Sequence, residues 1–212
     1  MKARYQIKED AKELIKTNNL WLTIGLIQTI LGILTISVYL NDTKNLAVIL
    51  PSALSALFEI CVSVYLLDVI QENKDIRSGF MNQATDIINS LKTKSLISYL
   101  ISNVYTFLWA LIPFAGIILV FIKSYSYGLN IYIANINDNN SNLTANDCIT
   151  KSKYKMIGHK MTWFIQHLSF IPWTLLAIIT GGLANIYVYP YMTAADVIFA
   201  NQVLEENKKK GH

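Results

Sequence analysis

Five polar residues interrupt long apolar stretches of this 212-residue sequence: Glu59, Lys123, Asp68, Asn130 and Asp196. An ionisable group placed among apolar residues is costly unless it is paired, so such positions are the first candidates for a functional site. Glu59 and Lys123 carry opposite charges and each falls near the middle of its apolar run. Two readings follow: a polar site or ion path between helices, or one buried ion pair that fixes helix register. Ser52, Ser55, Ala56, Glu59 and Ser63 recur at helical spacing, a face of small residues that lets a neighbouring helix approach closely and that is expected to point into a bundle. Asp68, Asn130 and Asp196 fall near one end of their runs. They suit either a polar ring or three separate hydrogen bonds between helices.

Other constellations are weaker. His159 and His167 are eight apart and have no Glu or Cys at ligand spacing, so no metal site is expected. There is no glycine-rich phosphate loop, no Ser-His-Asp arrangement in a sensible context and no catalytic carboxylate pair. The expectation is a protein that is not an enzyme, with no catalytic residues, no cofactor and no nucleic-acid partner.

The elements that hold these residues follow from composition. Hydrophobic residues make up 53% of the chain and charged residues 15%, against about 25% charged in an average soluble domain. Too few charges remain to cover a soluble particle, and the expected class is an all-α integral membrane protein. A span takes about 20 mostly apolar residues. Leu20–Leu40 and Leu46–Ile70 fit, joined by the polar turn Asn41-Asp42-Thr43-Lys44-Asn45. The first run follows five basic residues but is longer than the roughly 7–15 residues of a signal-peptide core and lacks a small-x-small cleavage site, so it reads as a span. The stretches Leu96–Ile136 and Met161–Val203 are each long enough for two crossings. Their centres, Pro113-Phe114-Ala115-Gly116 and Thr180-Gly181-Gly182-Leu183, read as hairpin turns. Six transmembrane helices in three hairpins result.

Sixteen of the 18 Lys and Arg fall on one side of such a model: in the N-terminal segment, in the connectors 71–95 and 137–160, and at Lys208 to Lys210. Cytoplasmic loops carry that excess, so both termini are expected in the cytoplasm and the protein in a bacterial plasma membrane. Three acceptor-like triplets, at Asn41, Asn139 and Asn142, are discounted because two lie on the cytoplasmic side. Cys61 and Cys148 fall in different environments and no disulfide is expected.

An internal repeat is visible at an offset of 66. Gly116-Ile117 aligns with Gly182-Leu183, Tyr125 with Tyr191, Asn130 with Asp196, and Ile131-Tyr132-Ile133-Ala134-Asn135 with Val197-Ile198-Phe199-Ala200-Asn201. Leu67-Asp68-Val69-Ile70 is related to Ala195-Asp196-Val197-Ile198. The whole chain reads as a single membrane domain, 1–212, with repeat units 1–73, 74–136 and 137–204 and a basic tail 205–212. Each unit opens on a basic amphipathic segment; in the first, Ile7, Ala11, Leu14 and Ile15 share a face, suited to the headgroup region or simply to fixing topology. Thr144-Ala145-Asn146-Asp147 reads as a capping box that opens a helix.

Ser152-Lys153-Tyr154-Lys155-Met156-Ile157-Gly158-His159-Lys160, Leu168 to Trp173, Thr180-Gly181-Gly182 and Tyr187 to Tyr191 together resemble the signature of the bacterial integral membrane family named domain of unknown function 975. Trp109 to Pro113 and Lys123 to Tyr127 are similar to it as well. The resemblance implies a multi-span protein of Gram-positive bacteria with no established activity and no catalytic residues to carry over. The expected function is that of a non-enzymatic membrane protein acting through a partner: an accessory subunit, an envelope-homeostasis factor, or an immunity protein against a membrane-active peptide. The alternative is a small transporter or channel that uses the interior charges. Expected partners are the lipid bilayer and another membrane protein or an amphiphilic peptide; the sequence leaves the oligomeric state open.

The basic asymmetry generates a topology prediction. In a cysteine-free background, a cysteine at Gly182 is expected to react with an impermeant thiol reagent only from outside, and one at Asn140 only from the cytoplasm. The reverse pattern overturns the six-span topology.

Overall fold

Runs of apolar residues with few internal breakers favour helix wherever the backbone must satisfy its own hydrogen bonds. A computed structural model of the protein describes residues 2–41, 49–110, 116–136 and 143–209. Among these residues every regular element is helical: α1 (Arg4–Lys16), α2 (Leu20–Asn41), α3 (Ile49–Glu72), α4 (Phe80–Asn89), α5 (Thr93–Ala110), α6 (Gly116–Tyr127), α7 (Asn130–Ile136), α8 (Ala145–Lys155), α9 (Lys160–Leu168), α10 (Ile171–Ile179) and α11 (Asn185–Lys209). A 3-10 turn, Thr17–Asn19, joins α1 to α2.

Among the described residues three stretches are long and apolar enough to cross a membrane: Arg4–Leu40, Ile49–Glu72 and Lys160–Ile179. The first contains the span read as Leu20–Leu40, and the second covers the span read as Leu46–Ile70 from Ile49 onward, residues 46–48 lying outside the described residues. The remaining apolar stretches are interrupted. Gly128 separates α6 from α7, and α9 gives way to α10 at Ser169-Phe170, with Pro172 in the first turn of α10, where its missing N–H is harmless. In α11 the last two turns carry Glu205, Glu206, Lys208 and Lys209, which dilutes an otherwise apolar helix. The expected turn at residues 113–115, the turn residues 42–45, the residues 139–142 and Lys210 lie outside the described residues.

The second hairpin turn is present where the glycines predicted it. Gly182 N donates to Ala177 O at 2.8 Å and Gly181 N to Ile178 O at 3.0 Å, a Schellman closure of α10. Gly181 has φ of 62° and Gly182 of 93°, conformations that glycine adopts without a Cβ penalty.

The chain divides into two units. One comprises Ala3–Ser90 and Ser169–Ile198, the other Met1–Lys2, Leu91–Leu168 and Phe199–His212. These boundaries cut across the repeat units read from the sequence, and α11 gives its first half to one unit and its second half to the other.

In the first unit the apolar stripe of α1 faces protein: Ile7, Ala11 and Ile15 are fully buried. Its lysines find aromatic rings. Lys8 donates from Nζ to Ser169 O at 3.1 Å and stands 4.4 Å from the Phe170 ring centre, while Lys12 lies 5.7 Å from that of Tyr191. The α1–α2 bend is built on Asn18 and Asn19, with φ of 50° and 58°, a conformation that asparagine tolerates better than most residues. Buried Gln83 ties this bend to α4: its Nε2 donates to Asn18 O at 2.9 Å and to Arg77 O at 3.0 Å, and its Oε1 accepts from the Thr23 hydroxyl. Arg77 grips Asp86 as a fork, Nε donating to Oδ2 at 2.7 Å and Nη2 to Oδ1. The Arg77 hydrogen bonds hold the Asp86 carboxyl below the usual carboxylate range, and the same bonds push the guanidinium up.

Helix α2 meets α11 at Gly25, where a Cβ would lie 1.8 Å from the Ile186 carbonyl oxygen. In the second unit the ring of Trp163 lies against the bare backbone of Gly128, a Cβ there falling 2.2 Å from the ring, and the same ring stacks on Phe199 at 5.3 Å. The capping box opens α8 as read: Asp147 N donates to Thr144 Oγ1 at 3.3 Å and Thr144 N to Asp147 Oδ2 at 2.8 Å. The Thr144 hydroxyl, donating to Asp147 Oδ2 at 2.7 Å, and then the Thr144 N–H hold the Asp147 carboxyl down. Cys61 and Cys148 are buried free thiols, and burial pushes the Cys148 thiol up.

Gly25→Ala is expected to lower the melting temperature in detergent, at a cost of roughly 1–3 kcal/mol for overpacking. Gly32→Ala, where a Cβ would meet nothing within 4 Å, is expected to be neutral or to gain up to about 1 kcal/mol from helix propensity. Equal effects at the two glycines would contradict the close α2–α11 crossing. A second expectation concerns acid. The folded pKa of Asp86 is depressed, so its contribution is present above the ordinary aspartate pKa of about 3.9 and is lost as the pH falls through the lower folded value. Melting temperature measured from pH 6 down to pH 3 should therefore fall less steeply for Asp86→Asn than for the parent.

Candidate functional site

Asn130, at the start of α7, is buried in the second unit and fully engaged. Its Nδ2 donates to Ser98 O at 3.0 Å and to Ser102 Oγ, and its Oδ1 accepts from Ile131 N at 2.6 Å. Both partners on α5 are one turn apart, so the amide reads as a clamp between α5 and α7. Beside it, Ser152 of α8 donates to Ser126 O at 2.8 Å and accepts from Leu129 N at 3.1 Å, which satisfies backbone groups at the α6–α7 break. A buried group left without such a partner would cost about 1–3 kcal/mol.

Lys123 of α6 is half-buried in the same unit, its ammonium 4.3 Å from the centre of the Trp109 ring on α5. Trp109 Nε1 donates to Tyr127 Oη at 3.1 Å, Lys153 stands 5.4 Å from the Tyr127 ring and 5.9 Å from that of Tyr105, and Tyr105 Oη donates to Asn146 Oδ1 at 3.0 Å. Cations and rings thus alternate from α6 across α5 to α8.

Glu59, Asp68 and Asp196 belong to the first unit. The structure brings two of them together: Asp196 of α11 lies within electrostatic range of Glu59 on α3. Glu59 is on the exposed side of α3, whereas Asp68 and Asp196 are half-buried. The small-residue face is split accordingly. Ser55 accepts from Gln28 Nε2 of α2 at 2.8 Å and Ser63 is buried, while Ser52 is exposed with Glu59. Glu59 and Lys123 lie in different units, and Asn130 is in the unit that holds neither aspartate.

Two features escaped the sequence reading. One is an aromatic hub on Tyr125, whose hydroxyl is 3.0 Å from His167 Nδ1 and whose ring meets Phe121 at 5.3 Å, Trp163 at 5.9 Å and Phe164 at 6.1 Å. His167 is therefore a hub residue. The other is a cavity of about 590 Å³ between α7, α8 and the last turns of α11. Lys151, Lys155 and Lys208 stand around it, and Ile133, Ile136 and Leu204 line its apolar part. Asn207 ties its walls together, donating from Nδ2 to Val203 O at 2.7 Å and to Lys155 O at 3.4 Å. Burial, then the charges of Lys151 and Lys208, press the Lys155 pKa down. The four-residue spacing of Lys151 and Lys155 was the available signal; their meeting with Lys208 needs the tertiary fold. Among the described residues no group of three or more His, Cys, Asp or Glu is arranged to hold a metal ion.

Residues 132–207 match the family model described as protein of unknown function DUF975. The matched segment contains α8 to α10 and most of α7 and α11, with the Ser152–Lys160 and Tyr187–Tyr191 strings that carried the resemblance. No curated protein and no solved structure matches the chain.

Lys123 and Trp109 should be energetically coupled. A double-mutant cycle of Lys123→Met and Trp109→Leu, read as thermal stability in detergent, is expected to give a coupling of about 0.5–2 kcal/mol. Additive losses would mean that the ammonium draws nothing from the ring.

Proposed function

We propose that the protein is an integral protein of a Gram-positive plasma membrane, with six spans, both termini in the cytoplasm and a threefold repeat, and that it acts without catalysis through a partner. Membrane residence is supported by continuous apolar faces that carry no protein cover. On α2, Ile30, Ile33, Leu34, Ile36 and Leu40 are exposed, and on α5, Ile97, Leu100, Val104, Phe107 and Leu108 are exposed. A soluble chain rarely leaves such faces bare.

The repeat draws support from two packing clusters. Tyr125 and Tyr191 are equivalent at the offset of 66, and so are Phe121 and Tyr187 one turn earlier. Each tyrosine meets its own i−4 aromatic and two further rings, although Trp163 and Phe164 follow Tyr125 in the chain whereas Phe170 and Trp173 precede Tyr191. The order short helix, long apolar helix, returning helix also recurs as α1–α2–α3, α4–α5–α6/α7 and α8–α9/α10–α11.

The observation that carries the partner reading is the engagement of Asn130 and its serine neighbours. The polar interior there is spent on holding helices together, which suits a scaffold for a partner, whether a membrane complex or an amphiphilic peptide. The second reading, a small transporter or channel, rests on the two carboxylates Glu59 and Asp196 lying within electrostatic range of each other.

The test is expression in a sensitive host challenged with membrane-active peptides, beside reconstitution into liposomes. Increased survival without ion or solute flux is expected. Flux that is abolished by Glu59→Gln, with no protection in cells, would replace the partner reading with the transporter.

A further inference from the structure

The cavity enclosed by α7, α8 and the end of α11 has the anatomy of an amphiphile site. Its volume, about 590 Å³, falls within the range of roughly 300–1,000 Å³ usual for small-ligand pockets. Three lysines, Lys151, Lys155 and Lys208, line it from two helices, and Lys208 is paired with Glu205 at 2.8 Å. The rest of the lining is largely apolar.

The lip of the cavity continues into an uncovered surface. Ile157, which lines the cavity, is 66% exposed, and from it a stripe runs along α9 at helical spacing: Met161 at 65%, Ile165 at 36% and Leu168 at 47%. This stripe opens the apolar stretch Lys160–Ile179, one of the three long enough to cross a membrane. A cationic pocket therefore sits at the basic end of a helix whose outer face is apolar and bare. Basic pockets at the cytoplasmic ends of transmembrane helices are suited to acidic headgroups.

We infer that this cavity binds an acidic phospholipid, its phosphate among Lys151, Lys155 and Lys208 and an acyl chain laid along Ile157, Met161, Ile165 and Leu168. The inference rests on the membrane reading above but not on any partner: lipid retention and peptide protection are separate measurements and can fail separately. The amide of Asn207, bonded to Lys155 O at 3.4 Å, ties α8 to α11 beside these lysines.

The experiment uses the full chain in phosphatidylcholine nanodiscs doped with phosphatidylglycerol, followed by detergent extraction and native mass spectrometry of the lipid retained. The parent is expected to retain phosphatidylglycerol in preference to phosphatidylcholine. Replacing Lys151, Lys155 and Lys208 by Gln should reduce that preference by about fivefold per lysine, the value of one surface lysine against acidic lipid. The same charge loss at Lys74, Lys92 and Lys94 should change it less than twofold. Ile157→Gln with Met161→Gln, which keeps every charge, should also reduce retention. Melting temperatures in detergent accompany each variant, and the single variant Lys151→Gln, at an exposed position on α8, keeps the charge arm readable if the triple variant unfolds. Equal losses in the two lysine triples would reduce the site to general surface charge and overturn the proposal. So would displacement of the lipid by soluble glycerol 3-phosphate as readily as by phosphatidylglycerol, or retention unaffected by the Ile157 and Met161 changes.

Discussion

Everything in this fold follows from the need to satisfy polar groups inside a chain that has few charges with which to meet water. A buried donor or acceptor without a partner costs more than a typical hydrogen bond returns, and apolar surroundings remove the option of leaving it to solvent. The structure meets that constraint with a few multi-bonded side chains. Gln83 closes the α1–α2 bend onto α4, Asn130 clamps α7 to α5, and Ser152 caps the break between α6 and α7. Each sits where a helix is interrupted, because an interruption is where backbone groups lose their partners.

Glycines allow the helices to pack closely. At Gly25 and Gly128 the missing Cβ admits a carbonyl oxygen and an indole ring, the close approach that small residues permit between apolar helices. Around Gly128 the aromatic residues then do what a larger aliphatic core does elsewhere: Trp163 stacks on Phe199, and Tyr125 gathers Phe121, Phe164 and His167. The lysines nearest these rings are absorbed the same way. Lys8, Lys12, Lys123 and Lys153 all stand over aromatic faces, which offers a cation an electrostatic partner without a buried carboxylate.

That economy explains what was legible in the sequence. Apolar run length located α2 and α3 nearly to the residue, and Gly181-Gly182 located the turn after α10, because both are local signals. The capping box at Thr144 was legible for the same reason. The breaks at Gly128 and at Ser169-Phe170 were not, since a single glycine or a proline in a first turn is compatible with a continuous helix until tertiary packing decides. The candidate site divided along the same line. Asn130 bonds Ser98 and Ser102 of α5, partners that are invisible to spacing. Charge alone suggested a carboxylate for Lys123, whereas the contact the structure gives it is the Trp109 ring, a partner whose attraction no charge count registers. The amphipathic stripe of α1 was read correctly as a stripe, but whether it met lipid or protein depended on Phe170 and Tyr191, far along the chain.

The distribution of the remaining lysines separates two kinds of basic residue that composition lumps together. A lysine over an aromatic ring is spent: its charge has a fixed partner and its stem is packed, so it contributes to the fold whatever lies outside. Lys151, Lys155 and Lys208 differ, because they converge on one cavity, Lys208 already paired with Glu205, and like charges brought together repel unless anions join them. A fold that satisfies most of its other polar groups within its own helices has no internal need for that convergence. Burial first, and then the charges of its two lysine neighbours, press the Lys155 pKa down, a cost to the charged form. An anion held among the three would relieve it, and the one anion-bearing phase against which the bare stripe of α9 could also be covered is the surface of a bilayer.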